Sequence, residues 1–373
     1  MRMDNILHLG VKEFWSLIRD PIMLVLIAYA FTLDIYLVGT GVADTLHQAP
    51  IAIVDEDQSP LSQRIVNAFY PPWFLPARMV TIDEMDSRMD AGLDTFALDI
   101  PPKFQEDVLA GRAPAVQLNV DANRMLQAFN GSGYVQTIVN GEVQTFLQRY
   151  RSVPRPPVDL AWRVRFNPNL DRYWFMSVVK LIDQVTLLAM ILTGAALLRE
   201  RERGTIEHLL VMPVTPFEIM TSKIWSMGLV VVVACSLSLT LVVRGLLSVP
   251  IQGSIPLFLC GAAIHLFAAT SLGIFLATFA GTMPQFALLL ILVLLPLQSL
   301  SGGLTPRESM PELVQYVMLG APTTHFVIFA QQILYRGAGI DVVWRPFLAL
   351  AVIGAGLFSI ALARFRRTVG TMA

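Results

Sequence analysis

Cysteine, charge and nucleotide-binding motifs are what this chain has least of. Its two cysteines, Cys235 and Cys260, both fall in apolar runs, so they read as small buried hydrophobes and not as a disulfide or metal pair. Charged residues make up 15% of the chain and sum to −1. No basic run exceeds the Arg366-Arg367 pair, which removes any reason to expect nucleic acid as a partner. The phosphate-loop pattern G-x-x-x-x-G-K-[ST] does not occur, so the polypeptide is not expected to hydrolyse ATP unaided. Serine nucleophile elbows and zinc-ligand spacings are missing as well, and no catalytic residue or metal is expected. The start, MRMDNILHLGVKEFWSLIRDP, scatters its charges and lacks a small-residue cleavage site, so no cleavable signal is expected.

What the chain does have is apolar length. Hydrophobic residues make up 54% and the mean hydropathy is +0.59, beyond the range of soluble globular proteins. The expected fold class is an α-helical polytopic membrane protein. Residues 1–20 place Ile6 or Leu7, Val11, Phe14, Trp15 and Ile18 at helical spacing, with Lys12, Glu13 and Arg19 on other faces. That pattern predicts an amphipathic helix lying along the interface, with Trp15 at headgroup depth. Residues 21–42 hold the first span, entered through Pro21 and carrying one charge, Asp34, near enough to its far end to reach the interface.

From 43 to 172 the composition becomes that of a soluble domain. Short apolar strands at 51–54, 96–100 and 116–120 alternate with helical stretches at 61–69, 104–109 and 124–149, which predicts an α/β or α+β domain of sheet covered by helices. Its acidic pairs, Asp55 with Asp57 and Glu106 with Asp107, are expected to be capping and surface groups. In the remainder, 173–373, apolar runs at 174–198, 224–243, 257–280, 286–304 and 346–363 complete six expected spans. Arg2, Lys12 and Arg19 before the first span, Arg199, Arg201, Arg203 and Lys223 after the second, and Arg364, Arg366 and Arg367 after the sixth lie on one side. The positive-inside rule makes that side, with both termini, cytoplasmic. The 43–172 domain then faces outward, into the periplasm in a Gram-negative cell.

Several features stand out within the apolar half. Lys180 and Asp183 are three apart on one helical face, so they are expected to pair, and with Asp34 they form the intramembrane charges that a transport pathway would use. Gly261, Ala269, Gly273, Ala277 and Gly281 recur at spacings of four or eight, with His265 in the same row, and read as a helix-packing seam. Pro296 is expected to break the fifth helix, with Ser301-Gly302 ending it. Two following helices in 305–345, in MPELVQYVML and HFVIFAQQIL, are each too short to cross.

Between the second and third spans lies a charged island, 199–223. Gly204 or Thr205 can cap a short helix carrying Glu207 in its first turn, Pro213 stops it, and Thr215-Pro216 with Glu218 starts another. Glu202, Gly204-Thr205, Glu207, Leu209-Leu210, Pro213 and Lys223 form an E-x-G-T-x-E-x-L-L-x-x-P…K pattern. This pattern resembles the signature of the ABC-2 (type V) family of ATP-binding-cassette exporter permeases, closest to the drug-efflux type of Gram-negative inner membranes. The resemblance runs over nearly the full chain.

The resemblance implies a multi-pass permease subunit of the bacterial inner membrane that carries no cofactor itself, ATP and Mg being held by a separate ABC ATPase. It implies that Glu200, Arg201, Glu202, Gly204, Thr205, Glu207, His208 and Pro213 belong to a segment docking on that ATPase. It also implies that Pro296, Ser301, Gly302 and Pro311 belong to re-entrant helices closing the outer end of the pathway. Expected partners are the ATPase, a second copy or related permease, and a periplasmic adaptor with an outer-membrane channel. Two other classes fit parts of the pattern: an ion-coupled secondary transporter using Asp34, Lys180 and Asp183, and a sensor whose outward domain binds a ligand.

Overall fold

A computed structural model describes residues 3–40, 46, 48–122, 125–150, 166, 172–202, 204 and 214–370. The chain divides into two compact units, residues 43–163 and residues 1–42 with 164–373.

The 43–163 unit is built on a four-stranded sheet ordered β2-β1-β3-β4. Its elements in chain order are β1 (Ile51–Asp55), α4 (Pro60–Asn67), β2 (Arg78–Met79), α5 (Ile82–Asp90), β3 (Phe96–Ile100), α6 (Phe104–Ala110), β4 (Gln117–Val120) and α7 (Met125–Tyr150). Three helices, α1 to α3, precede them in the other unit. β1 runs parallel to β2 and β3, with Ile53 opposite Leu98, and β4 returns antiparallel to β3. Alternation along the strands sorts side chains to two faces. Ile51, Ile53, Phe96 and Leu98 meet Leu61 and Ile65 of α4, Phe104 and Val108 of α6, and Val135 and Phe146 of α7. Ala52, Val54 and Ala97 meet Met85 of α5 on the other. The acidic pairs act locally: Asp55 accepts from Gln58 N, Ser62 Oγ and Gln63 Nε2 at the start of α4, Asp57 accepts from Gln105 N in α6, and Asp107 pairs with Arg112.

The other unit is helical. Its elements are α1 (Met3–Ile18), α2 (Pro21–Phe31), α3 (Leu33–Thr40), α8 (Arg172–Glu202), α9 (Pro216–Leu237) continued by a π-helical segment (Ser238–Leu246), α10 (Ile255–Phe279), α11 (Met283–Ser299), α12 (Glu312–Met318), α13 (Pro322–Leu334) and α14 (Ile340–Gly370). Among the described residues, five stretches are long and apolar enough to cross a membrane: Pro21–Thr40, Tyr173–Glu202, Pro216–Leu246, Ile255–Phe279 and Ile340–Arg367. α11 has 17 residues; at 1.5 Å per residue it reaches about 25 Å, a little short of a hydrocarbon core of about 30 Å. α12 and α13 meet at a bend of 90°.

Helix starts follow the local chemistry. Asp20 accepts from Met23 N to cap α2, with Pro21 in the first turn. Thr215 and Glu218 form a reciprocal capping box at the start of α9, again with proline in the first turn. Between α2 and α3 the helix breaks at Thr32, whose Oγ1 donates to Ala28 O at 2.5 Å, a back-bond that bends helices. The Phe31 carbonyl at this break accepts from Ser238 Oγ at 2.5 Å, where α9 loosens into its π-helical end. A side chain at one irregularity thus satisfies the backbone at the other.

α10 is the central packing element, lying along α14 and α8. A Cβ on Gly273 would stand 2.7 Å from the Met190 carbonyl oxygen and 2.8 Å from Thr193 Oγ1, and one on Gly261 would meet the Phe329 and Phe347 rings at 2.6 Å. Ala269 and Ala277 are buried. The small-residue row is therefore a seam inside the chain as far as Ala277. Gly281 lies past the end of α10, is exposed, and donates its N–H to Gln285 Oε1.

One sequence expectation about the helices needs correcting. Pro296 does not break its helix: α11 continues to Ser299, and the Pro296 carbonyl accepts from Leu300 N. Proline removes one donor only, a loss that membrane helices accommodate. Gly204 takes a φ of +65° and donates its N–H to the Arg201 carbonyl, a left-handed stop just past α8. The short helix expected after it lies outside the described residues.

Candidate functional site

The charged island meets the membrane unit where α8 ends, α9 begins and α1 lies alongside. α1 presents Ile6, Gly10, Glu13 and Leu17 inward. At Gly10 an added Cβ would fall 2.1 Å from the Trp225 ring, and the Trp225 indole donates to the Ile6 carbonyl at 3.2 Å. This close approach brings a carboxylate of α1 against α9. Lys223, 1% exposed, sits 2.7 Å from Glu13 Oε1 and 2.8 Å from Glu200 Oε2. Lys12 closes the chain on Glu200 Oε1 at 2.9 Å. Two lysines and two glutamates balance in charge, and they join α1, α8 and α9. Burial pushes the Glu13 carboxyl above its ordinary range, against the lowering effect of Lys223.

Neighbouring bonds extend this joint. Arg199 Nη1 lies 2.6 Å from Asp20 Oδ2, which ties α8 to the cap of α2. Arg201 Nη1 donates to the Ala280 carbonyl at 2.8 Å, and Glu202 Oε1 accepts from Met283 N at 2.9 Å. Of the residues assigned by resemblance to ATPase docking, Glu200 is thus turned inward. Arg201 and Glu202 hold the turn between α10 and α11, with Glu202 and Gly204 exposed. Thr205, Glu207, His208 and Pro213 lie outside the described residues.

A second polar cluster lies within the spans. Lys180 pairs with Asp34 at 3.1 Å, not with Asp183 as the three-residue spacing predicts. Asp34 is thus turned against α8, where Gln184 Nε2 also donates to it. Asp183 is half-buried, and its main-chain carbonyl accepts from Gln298 of α11 at 3.2 Å. His265 is buried within 2.9 Å of Thr186 Oγ1 and stacked on Phe326 at 4.0 Å, which makes it a packing residue here. Ser301 is buried and donates to the Gln298 carbonyl, Gly302 takes a φ of +93°, and Pro311 precedes α12 on the surface. Among the described residues no group of three or more His, Cys, Asp or Glu could hold a metal ion.

Sequence reasoning missed Glu13, Lys12, Asp20 and Arg199. The available signal was that Glu13 shares the 6, 10, 13, 17 stripe with a glycine and two apolar residues, so a carboxylate on that face needs a buried cation.

Long apolar helices around buried ion pairs, with a charged segment outside them, define a polytopic helical membrane protein. Comparison with known proteins gives it a family. The model described as ABC-2 family transporter protein matches residues 13–363. The inner membrane transport permease YhhJ of Escherichia coli (strain K12) is 62% identical over 369 residues, 99% of each chain. The probable multidrug ABC transporter permeases YbhR and YbhS of the same organism are 29% identical over 364 residues (96% of this chain, 97% of YbhR) and 25% identical over 341 residues (88% of each). The chain belongs to the ABC-2 family of transporter proteins. It is a multi-pass inner-membrane permease subunit, and the ATPase of such a transporter is a separate subunit.

Proposed function

We propose that the chain is the membrane half of an exporter that moves amphipathic compounds out of the cytoplasm or inner leaflet. ATP and Mg are bound by the partner ATPase. Six spans, with α11 as the fifth, put both termini in the cytoplasm and the 43–163 unit in the periplasm. Two permeases, either two copies or a related pair, form the pathway between them. α12 and α13, with Pro296, Ser301, Gly302 and Pro311, close its outer end, and an adaptor and outer-membrane channel carry the route onward. Support for an amphipathic substrate is the multidrug naming of YbhR and YbhS; support for pairing is that both are permeases of one organism.

The observation that carries the coupling reading is the Lys12–Glu200–Lys223–Glu13 chain of ion pairs. A segment docked on an ATPase must pass its displacement to several helices at once. Residues 199–223 begin and end on this joint, so a push on the exposed part moves α1, α8 and α9 together. Motion follows when the nucleotide-loaded partner binds one arrangement of these helices better than the other.

The test is co-purification from mild detergent. A nucleotide-binding subunit is expected to come down with the wild type and to be lost from the Glu202→Ala, Glu207→Ala double variant, with membrane insertion unchanged. Retention of the subunit by the double variant moves the dock elsewhere; a wild type that brings down no ATPase removes the reading and turns attention to Asp34, Lys180 and Asp183.

A further inference from the structure

Beside the ion-pair joint, α1, the start of α2 and the end of α8 enclose an open cleft of ≈ 760 Å³. Its lining carries three cations, Lys12, Arg19 and Arg199, against the single carboxylate of Asp20; with Lys12 balanced by Glu200, the excess is +1 (two arginines minus one carboxylate). Ser16 adds a hydroxyl and Trp15 an aromatic wall. Arg199 is engaged by Asp20 at 2.6 Å and Lys12 by Glu200 at 2.9 Å. Arg19 is exposed, with its guanidinium 5.9 Å from the centre of the Trp15 ring. The cleft thus keeps the Arg19 guanidinium facing open space beside the Arg199–Asp20 pair, a setting suited to a phosphate group.

The flanks of the cleft decide what carries that phosphate. Outward from it, α1 exposes Leu7, Val11, Trp15 and Ile18, and α2 exposes Ile22 and Val25. Trp15 is 57% exposed and Ile22 74%. The cationic lining ends at Arg19, and the apolar run of the first span begins at Pro21. This is the depth at which a tryptophan and basic side chains meet headgroups while the residues beyond them meet acyl chains. A free phosphate would need the cations and leave the apolar flanks unexplained.

We propose that this cleft holds the headgroup of an anionic phospholipid, with Arg19 and Arg199 on the phosphate and the acyl chains along Trp15, Ile18, Ile22 and Val25. The site requires insertion in a membrane and does not depend on export or on the ATPase. Because Lys12 belongs both to the cleft and to the Glu200 joint, a bound lipid also fixes where α1 lies against α8.

The test is a thermal-shift titration of the full chain in neutral detergent with phosphatidylglycerol, phosphatidylcholine or inorganic phosphate. Phosphatidylglycerol is expected to stabilise the wild type at concentrations where phosphatidylcholine and inorganic phosphate do not. The Arg19→Gln, Arg199→Gln variant should need much more of it, about fivefold per lost arginine, the effect of one basic residue at an anionic surface. Asp20→Asn keeps a helix-capping side chain but removes the carboxylate, so it should bind phosphatidylglycerol more tightly. A gain of this kind is not produced by misfolding, and it keeps the test available if the arginine variant fails to accumulate. Equal responses to phosphatidylglycerol and phosphatidylcholine, an unchanged response in the arginine variant, or weaker binding by Asp20→Asn would overturn the proposal. Equal stabilisation by inorganic phosphate would make the cleft a free-anion site and overturn it as well.

Discussion

Lys223→Met is expected to destabilise the protein by about 3–5 kcal/mol, the cost of breaking a buried ion pair from one side. Lys223 is 1% exposed and stands between Glu13 and Glu200. Methionine fills similar volume, so packing is largely kept while two buried carboxylates lose their shared cation. Lys12 can answer for Glu200, to which it is already bonded; nothing on that scale remains for Glu13. Adding Glu13→Gln to Lys223→Met should therefore recover a substantial part of the loss, because it removes the stranded charge. Thermal unfolding of the single and double variants in the same detergent measures the coupling directly. A single variant within about 1 kcal/mol of wild type, the scale of a surface ion pair, contradicts the claim that the joint holds this end of the bundle together.

The second large effect is expected at the intramembrane pair. Lys180→Leu leaves Asp34 facing α8 without its cation, 3.1 Å from where the ammonium stood, and removes the nearest positive charge from Asp183. An uncompensated carboxylate at the centre of a span costs about 2.5–3.5 kcal/mol on insertion scales, an upper bound for Asp34 toward the end of its span. Folded yield and thermal stability of Lys180→Leu should fall accordingly. The exchange variant Asp34→Lys, Lys180→Asp keeps one charge of each sign across α3 and α8 and should recover most of the loss. Full stability of Lys180→Leu alone would mean that lipid headgroups or water already serve Asp34, and the pair would lose its structural role.

The class and most of the long helices were legible where one residue type answers to one physical demand. Apolar length announced the spans, and Thr215-Pro216 with Glu218 announced the start of α9, because a capping box is entirely local. Partners across helices were not legible. The three-residue spacing of Lys180 and Asp183 suggested a pair, but Asp34 approaches from α3, some 150 residues away in sequence, and no periodicity records it. Glu13 was read as part of a solvated face of α1; its burial follows from Gly10 admitting Trp225, a tertiary fact. In the 43–163 unit, β2 and α5 went unread because β2 spans two exposed residues. α5 did leave a trace, the Thr81 and Glu84 capping box. Pro296 misled for a different reason: in a membrane helix the cost of a missing donor is met by neighbouring elements, so proline is weaker punctuation there than in water.

On the proposed function, this permease moves an amphipathic compound when its separate ATPase turns over. The most direct measurement is ATP-dependent transport of an amphipathic fluorescent compound in proteoliposomes holding the chain, its permease partner where one is needed, and the co-purified ATPase. Transport is expected to require ATP, Mg and the ATPase together, and to be abolished in Glu202→Ala, Glu207→Ala while the ATPase alone still hydrolyses ATP. Transport driven by an imposed ion gradient with the ATPase left out would contradict it.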